Sequence, residues 1–228
     1  MSARLQSSVG WHRLTVAVTL AALVVQLVLV ITGASVLAAG PEPPLLTRLL
    51  RFVSYFTIES NVLVLASVLP LALHADHDGG RWRVVRLDAV AGIVVTGLVH
   101  WFFLRPILHL TGWSWVADRL LHLVVPVLAV VGWAIAGPRP RVSARVLLSA
   151  AIWPVAYMVW TVIHGAVTGW YPYPFVDVMQ HGYLRVAVAG VGIAVLLTVV
   201  ALLVWAADRW LPPAPADVPG RVQAAGHD

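Results

Sequence analysis

The sequence has no cysteine, no lysine and little charge: only 11% of its 228 residues are charged, whereas 60% are hydrophobic. The absence of cysteine excludes disulfide bonds, thiolate metal ligands and cysteine nucleophiles. A soluble domain of ordinary composition carries about 25% charged residues, so this chain lacks the side chains that would cover a water-exposed surface. The composition therefore excludes a soluble enzyme, a disordered chain and a nucleic-acid-binding protein. It indicates that lipid surrounds most of the chain.

Six apolar stretches are long enough to cross a bilayer, because about 20 residues of α-helix span about 30 Å of hydrocarbon. They cover approximately residues 14–39, 52–73, 87–104, 115–136, 146–168 and 184–207. The first is longer than the apolar segment of a signal peptide, so we expect it to be retained. We predict an all-α, polytopic membrane helix bundle with six transmembrane helices over residues 1–211, followed by a disordered cytoplasmic tail over residues 212–228.

Arginine, which supplies all the basic side chains apart from histidine, is distributed unevenly between the two sides of the predicted bundle. The two termini and the second and fourth connections together carry ten arginines, whereas the other side carries five. Positively charged residues concentrate on the cytoplasmic side of membrane proteins. We therefore expect a multi-pass protein of the cell membrane with both termini in the cytoplasm, and the lipid bilayer as its main partner.

Polar residues inside the predicted helices lie at one common depth. A rise of about 1.5 Å per residue puts Thr57, His100, His122 and His164 about 6–10 Å from the outer ends of their helices. Thr57, Ser60 and Asn61 also share one helix face. The cytoplasmic halves contain almost nothing comparable. Because ionisable groups are costly in lipid and mark functional sites, we predict one polar pocket that opens outward.

Thr57 and His122 at matched depth permit a hydroxyl nucleophile with an imidazole base. Asp118 precedes His122 by one helical turn, a spacing at which its carboxylate orients the ring. Two alternatives stay open at this point. Threonine and serine often only pack or form hydrogen bonds between membrane helices. Three imidazoles, from His100, His122 and His164, are also a ligand set for Zn²⁺.

Three short segments, in consistent order over about residues 52–207, resemble a known membrane protein family. The segments are Tyr55-Phe56-Thr57 with Ser60-Asn61, His122-Leu123-Val124-Val125-Pro126, and Thr168-Gly169 with Tyr173-Pro174-Phe175. They resemble the androgen-induced-gene-one-like six-helix integral membrane proteins, and more closely the bacterial branch of that family. The animal members are threonine hydrolases that cleave fatty-acid esters of hydroxy fatty acids with an intramembrane threonine and histidine and without a metal.

The resemblance implies that Thr57 is the nucleophile and His122 the base of an intramembrane hydrolase that needs no metal or other cofactor. It also implies a lipid ester or fatty-acyl substrate. As supporting residues we consider Asn61 or Ser60 for the oxyanion, Asp118 for orientation of the imidazole, and His164 near the Thr168-Gly169 pair. The alternative function is a non-catalytic membrane protein that binds or transports a lipid or a small solute through the same pocket.

Overall fold

The computed structural model describes residues 3–33, 42–139 and 141–212, and every regular element within these ranges is helical. Six helical spans are long and apolar enough to cross a membrane: Leu5–Ile31, Phe56–Leu73, Gly80–Ile107, Gly112–Ala136, Ala144–Thr168 and Val178–Trp210. The predicted all-α bundle of six membrane helices is therefore confirmed. The chain is an integral, multi-pass membrane protein.

The described residues contain nine α-helices and two π-helical segments, and all of these except the second α-helix contribute to the six spans. The α-helices are α1 (Ala3–Ile31), α2 (Leu45–Val53), α3 (Phe56–Leu73), α4 (Gly80–Val99), α5 (Gly112–Arg119), α6 (Val125–Ala136), α7 (Ala144–Ala150), α8 (Ile152–Thr168) and α9 (Val178–Trp210). The π-helical segments are His100–Leu104, which continues α4, and Leu120–Val124, which joins α5 to α6. We call the end of the bundle that holds Ala3 and Trp210 the terminal end, and the other the distal end.

The ends of the helices differ from the predicted bounds for local reasons. The first helix begins at Ala3 and stops at Ile31, well before residue 39, because a turn follows in which Gly33 has a φ of +87°. The last helix opens with one turn at Val178, where the Asp177 carboxylate accepts hydrogen bonds from two backbone N–H groups. Gly182, with a non-helical φ of +73°, separates this turn from the long helix that follows. Residues 34–39 of the predicted first helix, and residues 213–228 of the predicted tail, lie outside the described residues.

The second predicted helix is divided in two, and the break positions the site. The short helix α2 ends at Val53, Ser54 and Tyr55 turn the chain, and α3 begins at Phe56. The Ser54 hydroxyl donates to the Leu50 carbonyl at 2.8 Å, which caps the end of α2. The break brings the first turn of α3, and with it Thr57, to the distal end of the bundle.

The helices α1, α3, α4 and α6 form the tightly packed part of the bundle. Their shared core contains side chains that are at most 5% exposed, among them Ala22, Val64, Ile93 and Val125. By contrast, most of the side chains of α8 and α9 face outward. The fold thus has a dense half, and a looser half in which α8 stands apart from α4.

The terminal end of the bundle contains a set of buried polar side chains that we did not predict from the sequence. This terminal cluster consists of Ser8, His12, Ser67, Arg86 and Asp208, each at most 5% exposed. Its side chains connect helices to the segment after α6. The expectation of almost no polar residues in these halves was wrong, because α1 and α4 start earlier than predicted and so include His12 and Arg86.

Candidate active site

Thr57 lies in the first turn of α3 with its hydroxyl between two other polar side chains. Its Oγ1 is 3.2 Å from Nε2 of His122 and 3.3 Å from the hydroxyl of Tyr173. The residue is 8% exposed. Both distances are within hydrogen-bond range. The two residues that we predicted to react together, Thr57 and His122, are therefore in direct contact.

Asp118 lies behind the His122 ring, on the side away from Thr57. Its Oδ1 is 3.2 Å from Nδ1 of His122, and its backbone carbonyl is 3.0 Å from the same nitrogen. With two acceptors at Nδ1, the proton of the neutral ring resides there. Nε2 then carries the lone pair and accepts the hydrogen bond from the Thr57 hydroxyl. This is the order of groups in an oriented nucleophile–base pair.

His100 is a second imidazole at the same carboxylate. Its Nε2 is 2.7 Å from Oδ1 of Asp118, and its ring stacks on that of His122 with centroids 3.8 Å apart. His100 is 3% exposed. Both stacked imidazoles thus contact the same carboxylate oxygen of Asp118. Sequence reasoning placed His100 in the same polar pocket and among the candidate zinc ligands, but did not pair it with Asp118.

Both site histidines lie in π-helical segments. His100 begins the first segment, and His122 lies in the middle of the second. Such segments occur frequently at functional sites because they alter the direction of side chains in an otherwise regular helix. Gly97, one turn before His100, lets the two segments approach: a Cβ atom there would lie 3.3 Å from the His122 carbonyl oxygen.

Tyr173 comes from the connection between α8 and α9 and completes the surroundings of Thr57. Its hydroxyl accepts a hydrogen bond from the Thr57 backbone N–H at 3.2 Å. Burial raises the pKa of the Tyr173 phenol above its usual value, so the hydroxyl stays protonated and keeps a hydrogen to donate. Sequence reasoning assigned no chemical role to Tyr173. The one signal for the residue was its place in the third resembling segment.

Ser60 and Asn61 hold the backbone of Thr57 from the next turn of α3. Both donate to the Thr57 carbonyl, at 3.1 and 2.7 Å, and the Ser60 hydroxyl also bonds to Thr96 at 2.8 Å. The Asn61 amide has a second acceptor in the Leu121 carbonyl at 3.4 Å. Their hydrogens are therefore engaged below the nucleophile. In this geometry both side chains fix the backbone of the first turn of α3, and a role for either of them toward the oxyanion stays a prediction.

His164 does not join the site, although its predicted depth matches that of Thr57. Its ring stacks on Trp160 and meets Trp170 edge-on, with centroids 5.3 and 5.7 Å apart. It has no contact with Thr57 or His122 among the interactions of the described residues. The contacts of His164 therefore give no support to its predicted role as a supporting residue of the site.

Thr57 lies where two cavities meet. The polar cavity, of about 450 Å³, is lined by Asp118 and His122 and by charged residues of the distal end. The apolar cavity, of about 760 Å³, lies between α4, α8 and α9. Thr57, His100 and Tyr173 contribute to the walls of both. A molecule with a polar part and a long apolar part would place its junction at Thr57.

The site also contains a set of atoms able to hold a metal ion. Among the residues that the structure describes, one ligand atom each from His100, Asp118 and His122 lies within 4.8 Å of the others. Two imidazoles and a carboxylate suit Zn²⁺. Asp118 thus takes the place that the metal alternative gave to His164. Such an ion would compete with the hydrogen bond that orients His122.

No family model, no curated protein and no solved structure matches the chain. Its function is therefore inferred from the geometry and chemistry of the side chains around Thr57.

Proposed function

We propose that the protein is an intramembrane threonine hydrolase that cleaves lipid esters. The observation that carries this proposal is the contact of 3.2 Å between Thr57 Oγ1 and His122 Nε2, with Asp118 at the opposite ring nitrogen. A threonine that only packs between helices needs no imidazole oriented in this way. The sequence resemblance supports the same activity and membership of the bacterial branch of the six-helix family.

In the proposed reaction, Nε2 of His122 removes the proton from Thr57 Oγ1 as the oxygen attacks the acyl carbonyl. The tetrahedral intermediate collapses when the C–O bond to the alcohol breaks and the imidazolium returns its proton to the leaving oxygen. A water molecule, deprotonated by the same nitrogen, then attacks the acyl-threonine. The C–O bond to Thr57 breaks, the imidazolium returns the proton to Oγ1, and the acid is released. Asp118 stabilises the imidazolium in both steps.

Two features support stabilisation of the negative oxygen in the intermediate. The Tyr173 hydroxyl is 3.3 Å from Thr57 Oγ1, within reach of an oxygen on the attacked carbon. Thr57 also lies in the first turn of α3, where the positive end of the helix dipole favours a developing negative charge. Donors arranged in advance around a reacting oxygen supply a large part of the rate acceleration in acyl transfer.

The two cavities support a lipid ester as the substrate. The apolar cavity accommodates the acyl chain, and the polar cavity accommodates the alcohol part near Arg48 and Arg51. The distribution of arginine supports an orientation in the cell membrane with both termini in the cytoplasm, so that the polar cavity opens to the outside. Lipid would reach Thr57 from the outer leaflet.

Labelling with a fluorophosphonate probe tests the proposal. Membranes with the wild-type protein should form a probe adduct at residue 57, Thr57→Ser should also be labelled, and Thr57→Ala should not. Thr19→Ala is a matched control, since the Thr19 hydroxyl only donates to the Thr15 carbonyl inside α1. A labelled Thr57→Ala protein, or an adduct at another residue, would contradict the proposal.

A non-catalytic lipid-binding protein is the second candidate, favoured by the size of the apolar cavity. It predicts that the purified protein retains bound lipid and that Thr57→Val binds it as well as wild type does. Measurement of ester turnover in the same preparation separates the two functions, because only the hydrolase releases acid over time.

A further inference from the structure

A carboxyl group lies at the far end of the apolar cavity without a partner. Asp88, on α4, is 8% exposed and lines this cavity. Its side chain forms no hydrogen bond or ion pair with any residue in the part of the chain that the structure describes, and its carboxylate oxygens remain open to the cavity. Asp208, in the terminal cluster, provides the contrast: its Oδ2 accepts two backbone hydrogen bonds, at 2.7 and 2.8 Å.

An unpartnered carboxyl group in apolar surroundings is costly. Burial of a polar group without a hydrogen bond is unfavourable, and burial of an isolated charge is considerably more so. Native interiors satisfy nearly all such groups. Asp88 is therefore suited to accept a hydrogen bond from a ligand that fills the cavity.

The cavity leads from the reacting centre to Asp88. Asp88 and His100 are twelve residues apart on one helix, which is about 18 Å at a rise of about 1.5 Å per residue. The α4 wall between them is formed by small and β-branched residues, including Ala91, Gly92 and Val95. A narrow apolar passage of this length fits one extended hydrocarbon chain.

The bilayer side of the cavity is formed by α8, which is attached by aromatic side chains to α3 and to the turn that precedes it. Trp153 donates to Glu59 at 2.7 Å, and Tyr157 and Trp160 donate to Ser54 at 3.3 and 3.2 Å. Other cavity-lining side chains of α8, such as Val155 and Val159, are more than half exposed. A hydrocarbon chain can therefore pass from the bilayer into the cavity beside α8.

We propose that the apolar cavity binds an acyl chain that carries a hydroxyl group at its far end, and that Asp88 accepts the hydrogen bond from this hydroxyl. A hydroxyl fits better than an ammonium group, because two charges would both have to lose water in apolar surroundings. The assignment of this acyl chain to an ester substrate rests on the proposed hydrolase function. The binding preference itself does not.

The test uses the purified full-length protein and two free acids, hexadecanoic acid and its ω-hydroxy derivative. Displacement of a fluorescent fatty acid should show that wild type binds the hydroxy acid about 5-fold more tightly, the size of one net hydrogen bond. Asp88→Leu should lose this preference and still bind hexadecanoic acid. Asp88→Asn should keep part of it, because the amide oxygen also accepts. Asp208→Asn, the matched control, should keep all of it.

An equal affinity of wild type for both acids would overturn the inference, as would an unchanged preference in Asp88→Leu. Tighter binding of the ω-amino acid would also overturn it, in favour of a cation. Free acids cannot be hydrolysed, so the preference should persist in Thr57→Ala. If the probe does not label residue 57 but the preference for the hydroxy acid is found, only the hydrolase proposal is contradicted. If the probe labels residue 57 but the preference is absent, only the role of Asp88 is contradicted.

Discussion

The terminal cluster and the surroundings of Thr57 are both buried and polar, but the terminal cluster bonds mainly to the backbone, with a contact between two of its own side chains, Arg86 to Ser67 at 3.4 Å. In the terminal cluster the Ser8 hydroxyl donates to the Ala136 carbonyl at 2.8 Å, and Asp208 accepts from backbone N–H groups. Around Thr57, side chains contact one another and face two cavities. Within the described residues, no member of the terminal cluster lines either cavity.

This difference distinguishes polar groups that stabilise the fold from polar groups that are placed to act on a bound molecule. Groups that satisfy the backbone at a helix end lower the cost of burying that backbone. Groups that contact one another beside a cavity leave room for a third molecule to enter the network. Burial and charge alone do not distinguish the two cases, and substitutions at matching residue types can test the distinction.

The largest contrast is expected between the two buried histidines. His122→Ala should lower ester turnover by at least about 1,000-fold, because the base is lost, with little change in the unfolding temperature. His12→Ala should leave turnover within about 2-fold of wild type and lower the unfolding temperature, because it removes a fully buried side chain. Turnover and thermal unfolding of the purified variants measure both effects. Similar losses of turnover in the two variants would break the comparison.

The second largest contrast is expected between two buried aspartates, Asp118 and Asp208. Asp118→Asn should reduce kcat by about 100-fold or more, because His122 loses the carboxylate at its Nδ1. Asp208→Asn should cost about 1 kcal/mol of stability, since one acceptor oxygen is kept, with turnover unchanged. Steady-state kinetics and denaturant unfolding give the two values. A catalytic defect in Asp208→Asn would show that the terminal cluster takes part in the chemistry.

A tyrosine pair tests the hydroxyl that faces the cavities. Tyr173→Phe should lower kcat by about 10- to 100-fold, with a smaller effect on KM, because the donor acts on the intermediate. Tyr171→Phe, two residues earlier in the same connection, should behave as wild type does. An unchanged kcat in Tyr173→Phe would remove this residue from the oxyanion site.

The smallest contrast is expected between two glycines at which neighbouring helices pack closely, Gly97 and Gly132. Gly97→Ala should reduce turnover by only about 3- to 10-fold, because the new Cβ meets the His122 carbonyl at 3.3 Å and slightly separates the stacked rings. Gly132→Ala should affect stability instead, because its Cβ would lie 2.6 Å from the Trp11 ring. A pH–rate profile that shifts in Gly97→Ala alone would sharpen the assignment to the histidines.

The sequence predicted the depth of site residues better than their position around the bundle. Depth follows from the rise per residue and the helix ends, so Thr57 and His122 could be matched before any packing was known. His164 has a similar depth and yet contacts Trp160 and Trp170, because rotation about the helix axis is decided by packing. The six spans were predictable for the same reason, since length and apolarity are properties of one helix.

Other parts of the site depend on contacts across long separations. Tyr173 bonds to Thr57 from 116 positions away in the chain, and no local pattern encodes that distance. The partnerless state of Asp88 is visible only once all its neighbours are in place. The polar terminal cluster was missed because arginine near a helix end is ordinarily a topology signal.

The π-helical segments that hold His100 and His122 make the site sensitive to a small kind of genetic change. A π-turn contains one residue more than an α-turn, and each residue turns a helix by about 100°. Deletion of one codon within Leu120–Val124 would restore a regular helix that still crosses the membrane, while it rotated His122 relative to Asp118. Lineages could therefore lose or regain this chemistry by single-codon deletions and insertions while the transmembrane architecture persisted.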